Sequence, residues 1–116
     1  MKLKRLFIFS FVAIMSAYLM GCSSSGSVEK ADEAFELYQF TTAIDMYRKA
    51  YRKTRDRKKK YEINVKIAKS YEKMSEFKRA ESYYRRALKY KDADPEMIYR
   101  YGNMMRMQEE FEDALV

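Results

Sequence analysis

Hydrophobic and polar positions along this chain change rhythm once. From Leu6 to Met20, 15 residues run without a charge, broken only by Ser10, Ser16 and the polar tip of Tyr18. Further on, apolar residues return in steps of three and four: Phe40, Ala43, Tyr47 and Ala50, then Phe77, Ala80, Tyr84 and Ala87, then Phe111 and Ala114. Such steps put the residues of each set on one face of a helix. The opening phenylalanines lie 37 and 34 residues apart, so the pattern is a repeat as well as a period. The expected map is a helix near 28–38, its partner at 40–54, then 58–74, 77–90 and 95–107, with a stub from 110. Pro95 suits the first turn of its helix, where its missing N–H is no loss, and Asp94 suits the cap before it.

Composition agrees with an all-α chain. There are 3 Gly and 1 Pro in 116 residues, so little interrupts the backbone, and the long straight side chains common here lose little freedom on a helix. His and Trp are absent and Cys occurs once. Nucleophilic sites that use an imidazole base cannot be built, nor can a Cys/His structural zinc site, and the chain is read as not an enzyme. The formal charge is +7; without Lys2, Lys4 and Arg5 it falls to 21 basic against 17 acidic residues, a net +4. That is a solvated surface with a basic bias, and no nucleic-acid partner or small-molecule substrate is expected from it.

The first 21 residues read as an address. Lys2, Lys4 and Arg5 precede an apolar run shorter than the roughly 20 residues of a membrane span, as in a signal-peptide core. Leu19-Met20-Gly21-Cys22 resembles a bacterial lipobox. The resemblance implies cleavage after Gly21 and acylation of Cys22, a covalent lipid being the only added group and no cofactor or metal being expected. Ser23-Ser24-Ser25-Gly26-Ser27 is polar and reads as a tether, giving a division into 1–21 leader, 22–27 tether and 28–116 repeats. No Asp follows Cys22, which resembles the lipoproteins sorted to the outer membrane, facing the periplasm.

The repeat of 28–116 resembles the tetratricopeptide repeat, a helical hairpin of about 34 residues. Ala43, Tyr47 and Ala50, and again Ala80, Tyr84 and Ala87, match its second-helix positions. Ile67-Ala68 with Tyr71, and Tyr101-Gly102 with Met105, match the first helix, where Ala68 and Gly102 would let the partner helix approach closely. The first unit is degenerate, with Lys30-Ala31 and Ala34 at these sites and Tyr38 at the turn. The fold implied is a solenoid of two hairpins plus a truncated third after a signal helix. The third unit stops about five residues into its second helix, so a longer parent protein is expected. With the lipobox and the Ser-rich tether, the pattern also resembles the start of OmpA-like lipoproteins of the PorE type, which implies a place in the type IX secretion envelope complex.

In that family fold the first helices form the concave, partner-binding face. Aligning the repeats puts Val65, Lys69, Glu72 and Lys73 there, followed by Tyr99, Asn103, Arg106 and Met107. The expected partners are envelope proteins, with the membrane reached through the lipid. A peptidoglycan-linked lipoprotein whose repeats are only a spacer is the alternative, and a catalytic domain beyond Val116 stays open. The run from Arg52 to Lys60, seven basic residues in nine, reads as a solvated connection with favourable cations at a helix C-terminus, or else as a contact for anionic headgroups. Tyr47, Tyr51, Tyr71, Tyr83, Tyr84, Tyr90 and Tyr99 read mostly as packing residues with their hydroxyls in solvent.

Overall fold

The computed structural model describes residues 25–116, which form α1 (Ser25–Glu36), α2 (Phe40–Lys53), α3 (Arg57–Lys73), α4 (Phe77–Ala87) and α5 (Glu96–Leu115). No strand occurs among the described residues. Gly21 and Cys22, with the leader before them, lie outside that range. Each helix packs mainly on its neighbours in sequence, α1 on α2, α2 on α3, α3 on α4 and α4 on α5. The first three connections span 37–39, 54–56 and 74–76, and links this short leave successive helices antiparallel.

The repeated stripe becomes the core. Ala43, Tyr47 and Ala50 of α2 and Ala80, Tyr84 and Ala87 of α4 are all buried, as are Ile67, Ala68 and Tyr71 of α3. Ala31 and Ala34 bury the corresponding face of α1. Alanine at these positions lets the helix axes come close, and the larger Ile and Tyr side chains fill the grooves beside them.

Two hairpin turns share one backbone device. Tyr38 (φ 60°) and Ser75 (φ 58°) adopt left-handed conformations that L-residues seldom hold. Around them Gln39 N–H donates to Ala34 O and Tyr38 N–H to Phe35 O, while Glu76 N–H donates to Tyr71 O and Ser75 N–H to Glu72 O. This pair of bonds, normally closed by Gly, satisfies the last carbonyls of α1 and α3 and reverses the chain. It also ends α1 at Glu36, two residues before the expected boundary.

Other ends follow their local chemistry. Asp56 Oδ1 accepts from Lys58 N at 2.9 Å and caps α3. Asp94 Oδ1 accepts from Glu96 N at 2.9 Å, and Pro95 already has helical dihedrals (φ −52°, ψ −27°), so the expected cap and first-turn proline both occur. At its other end α4 stops at Ala87, short of the expected 90, because Lys89 N–H and Tyr90 N–H donate three residues back and tighten the chain into turns. Ser25, Gly26 and Ser27, read as tether, belong to the first turns of α1.

The largest departure from expectation is α5. It runs unbroken for 20 residues, with no turn between 107 and 110, so no third hairpin forms among the described residues. Its Met97 and Met104 are buried, whereas Ile98, Gly102 and Met105 form an open stripe. A Cβ at Gly102 would meet nothing within 4 Å, so this glycine serves no close approach, contrary to the sequence reading. Glu109 is the counterpart of Ser75, but the helix formers around it keep right-handed geometry. A left-handed residue there would cost about 1–2 kcal/mol, and Phe111, Ala114 and Leu115 are exposed rather than packed in a way that would offset it.

Candidate protein-docking groove

Two carboxylates each tie three helices together. Asp32 of α1 accepts from the Tyr47 hydroxyl of α2 and from Lys66 Nζ of α3 at 2.6 Å. Glu72 of α3 accepts from the Tyr84 hydroxyl of α4 at 2.6 Å and pairs with Arg100 of α5 at 3.3 Å. Tyr47 and Tyr84 are equivalent in the repeat, and Lys66 and Arg100 stand one repeat of 34 residues apart. The same arrangement of acid, phenol and cation therefore recurs along the stack. Burial first, then the hydrogen bond to Asp32, pushes the Tyr47 phenol far above its ordinary range; burial and the bond to Glu72 do the same for Tyr84. The sequence reading left these hydroxyls in solvent. They are instead spent on partly buried polar links, which is how a phenol is accommodated at the edge of a core.

Across the first of these ties lies a groove of about 490 Å³. Asp32, Phe35 and Glu36 of α1 form one wall, and Tyr47 of α2 the floor. Tyr61, Glu62, Val65, Lys66 and Lys69 of α3 form the centre, with Asp94, Glu96 and Met97 at the start of α5 closing the far side. Five carboxylates and two lysines line it, and Lys66 is already paired with Asp32, so the groove is acidic within a basic protein. Asp94 caps α5 and Glu96 pairs with Arg100 at 2.7 Å, while Glu36 and Glu62 are exposed. Beneath the charges, Phe35, Tyr61, Val65 and Met97 supply apolar surface.

Of the eight residues aligned from sequence, Val65 and Lys69 line this groove. Glu72 is one turn further along α3, engaged with Tyr84 and Arg100, and Lys73 is exposed at that helix's end. On α5, Arg106 donates to Asn103 at 2.7 Å and to Glu110 at 2.7 Å. Met107 is partly buried, and Tyr99 is 73% exposed on a different stripe from Glu96 and Arg100. The α1 wall was missed because the first unit departs most from the repeat. Two signals pointed to the rest: Glu62, Val65 and Lys69 share a stripe, and Lys66 and Arg100 share the repeat spacing.

A second aromatic cluster faces elsewhere. Arg48 donates to the Tyr71 hydroxyl at 2.9 Å and to that of Tyr83 at 3.3 Å, and Arg86 sits 4.6 Å from the Tyr83 ring. Both phenols are occupied by cations of the same chain, so this cluster joins α2, α3 and α4.

Comparison with protein-family models, with curated proteins and with solved structures gives no match for this chain. Among the described residues no helix is long and apolar enough to cross a membrane.

Proposed function

We propose that this chain is a lipid-anchored scaffold of the bacterial cell envelope, built of tetratricopeptide-type hairpins, that docks other proteins in the groove between α1, α3 and the start of α5. The observation that carries this reading is the repeat itself. Residues recurring after 37 positions fill equivalent buried sites, the two left-handed turns recur at the same spacing, and each helix packs on its sequence neighbours. Stacks of this kind spend one face of each hairpin on the next and leave the first helices lining a shared concavity. The fitting occupant is an extended or helical protein segment that carries Lys or Arg for Glu36 and Glu62 and an apolar side chain for the strip between them. Gly21 as the cleavage position and Cys22 as the lipid site complete the proposal.

Two measurements test it. A photocrosslinking amino acid placed at Val65 in cells should form a defined adduct that the Glu36→Lys/Glu62→Lys pair abolishes, whereas placement at Lys78 on α4 should form none; equal adducts at both positions would remove the groove from the proposal. Radiolabelled palmitate should enter the wild-type chain and not Cys22→Ala, and equal labelling would remove the anchor.

A further inference from the structure

The cations of this protein are not evenly employed. Lys66, Arg79, Arg85, Lys91, Arg100 and Arg106 all hold carboxylates. Among the described residues none of the seven basic side chains between Arg52 and Lys60 makes an ion pair, and all but that of Lys60 are exposed. Asp56, the acid within the run, spends Oδ1 on the backbone N–H of Lys58. Arg57, Lys58, Lys59 and Lys60 then occupy the first turn of α3, which carries no acidic residue. Four positive charges at a helix N-terminus oppose the helix dipole, so this placement works against the fold's own stability. The sequence reading gave these cations a favourable helix C-terminus, which holds for Arg52 and Lys53 only.

The run also has a definite position. Lys60 lies 4.9 Å from the Tyr51 ring, Tyr61 stacks on Tyr90 at 5.0 Å, and Asp94 N–H donates to the Tyr61 hydroxyl. These contacts gather the end of α2, the start of α3 and the 88–95 connection, with exposed Lys89 and with Lys91 paired to Asp92, at one end of the stack. The antiparallel register of α1 against α2, fixed by Phe35 on Phe40 and by Asp32 on Tyr47, brings the start of α1 to the same end. Ser25 is three residues from Cys22, so the chain enters the folded stack through its most basic surface.

We propose that this end is a docking surface for an anionic phospholipid membrane. Unpaired ammonium and guanidinium groups that face away from the core lose little by meeting headgroup phosphates, and their mutual repulsion at the start of α3 is relieved there. The inference is independent of the groove and does not need Cys22 to be acylated; where it is, the two signals add.

The test is lysine footprinting of the full-length chain in vesicles of phosphatidylcholine with and without phosphatidylglycerol. Acetylation of Lys58 and Lys59 should fall at least about threefold in the anionic vesicles and recover in about 0.5 M salt, which shortens the screening length to a few ångströms. Lys73 and Lys78, beside the 74–76 turn at the other end, should label equally in both. The Lys58→Glu/Lys59→Glu pair should lose the phosphatidylglycerol-dependent protection of Lys53. Equal labelling of Lys58 and Lys59 in the two vesicles would overturn the proposal. The same comparison in Cys22→Ala separates it from the anchor, since that variant should keep the lipid-dependent protection.

Discussion

At the scale of single residues, two phenols carry more than their size suggests. Tyr47 and Tyr84 are buried at equivalent places, and each donates a hydrogen bond to a carboxylate from a neighbouring helix. Tyr84→Phe should therefore lower stability by about 1.5–3 kcal/mol, the worth of one hydrogen bond to a charged acceptor, as read from urea unfolding. The sign of the pH dependence follows from the raised folded-state values. A group whose pKa rises on folding contributes fully below its unfolded value and loses that contribution as pH climbs toward the folded one. Wild-type stability should thus begin to fall above about pH 10, and Tyr84→Phe should show a shallower fall there. Identical alkaline slopes in the two proteins would mean that Tyr84 ionises as freely in the fold as outside it. The period of the sequence marked both tyrosines as core residues. It could not show where their hydroxyls point, because Asp32 and Glu72 come from other helices.

Among the helices, α5 separates what pattern says from what packing permits. The pattern placed a turn before Phe111 and a close helix contact at Gly102. The helix continues past both, and Gly102 stands in open space. Gly102→Ala should then raise stability by about 0.5–1 kcal/mol, the ordinary gain for removing glycine from an exposed helix interior. A loss on thermal or urea unfolding would reveal a neighbour packed on that position. The contrast with Ser75 is instructive. A left-handed serine is sustained where Phe77, Ala80 and Tyr84 fold back onto α3, since that burial outweighs a local cost; at Glu109 no such burial follows.

For the molecule as a whole, packing restricted to sequence neighbours gives stability a position along the stack. α3 lies between α2 and α4 and buries Ile63, Asn64, Ile67, Ala68, Ser70 and Tyr71, whereas residues 109–116 are all exposed. Amide exchange should be slowest in α3 and fastest in α5 beyond Gln108, with α1 and α4 between them. Uniform protection across the five helices would indicate a single cooperative core instead of a chain of pairwise contacts. Charge is graded too: carboxylates collect in the groove, and the densest run of cations, Arg52 to Lys60, lies at the end where the chain enters. The run of cations is visible along the sequence; the carboxylate grouping is not, because Glu36, Glu62 and Glu96 stand far apart.

Helical class, the extent of α2 and α3 to within a residue, the cap at Asp94, and the buried Ala and Tyr positions were all legible from the sequence, because each depends on spacing or on neighbours within one turn. The tertiary structure alone decided three other matters: the left-handed geometry of Tyr38 and Ser75, the continuous course of α5, and the carboxylate ties that assemble the groove. Each of these turns on whether burial against another helix outweighs a local preference, and that balance exists only once the helices are side by side.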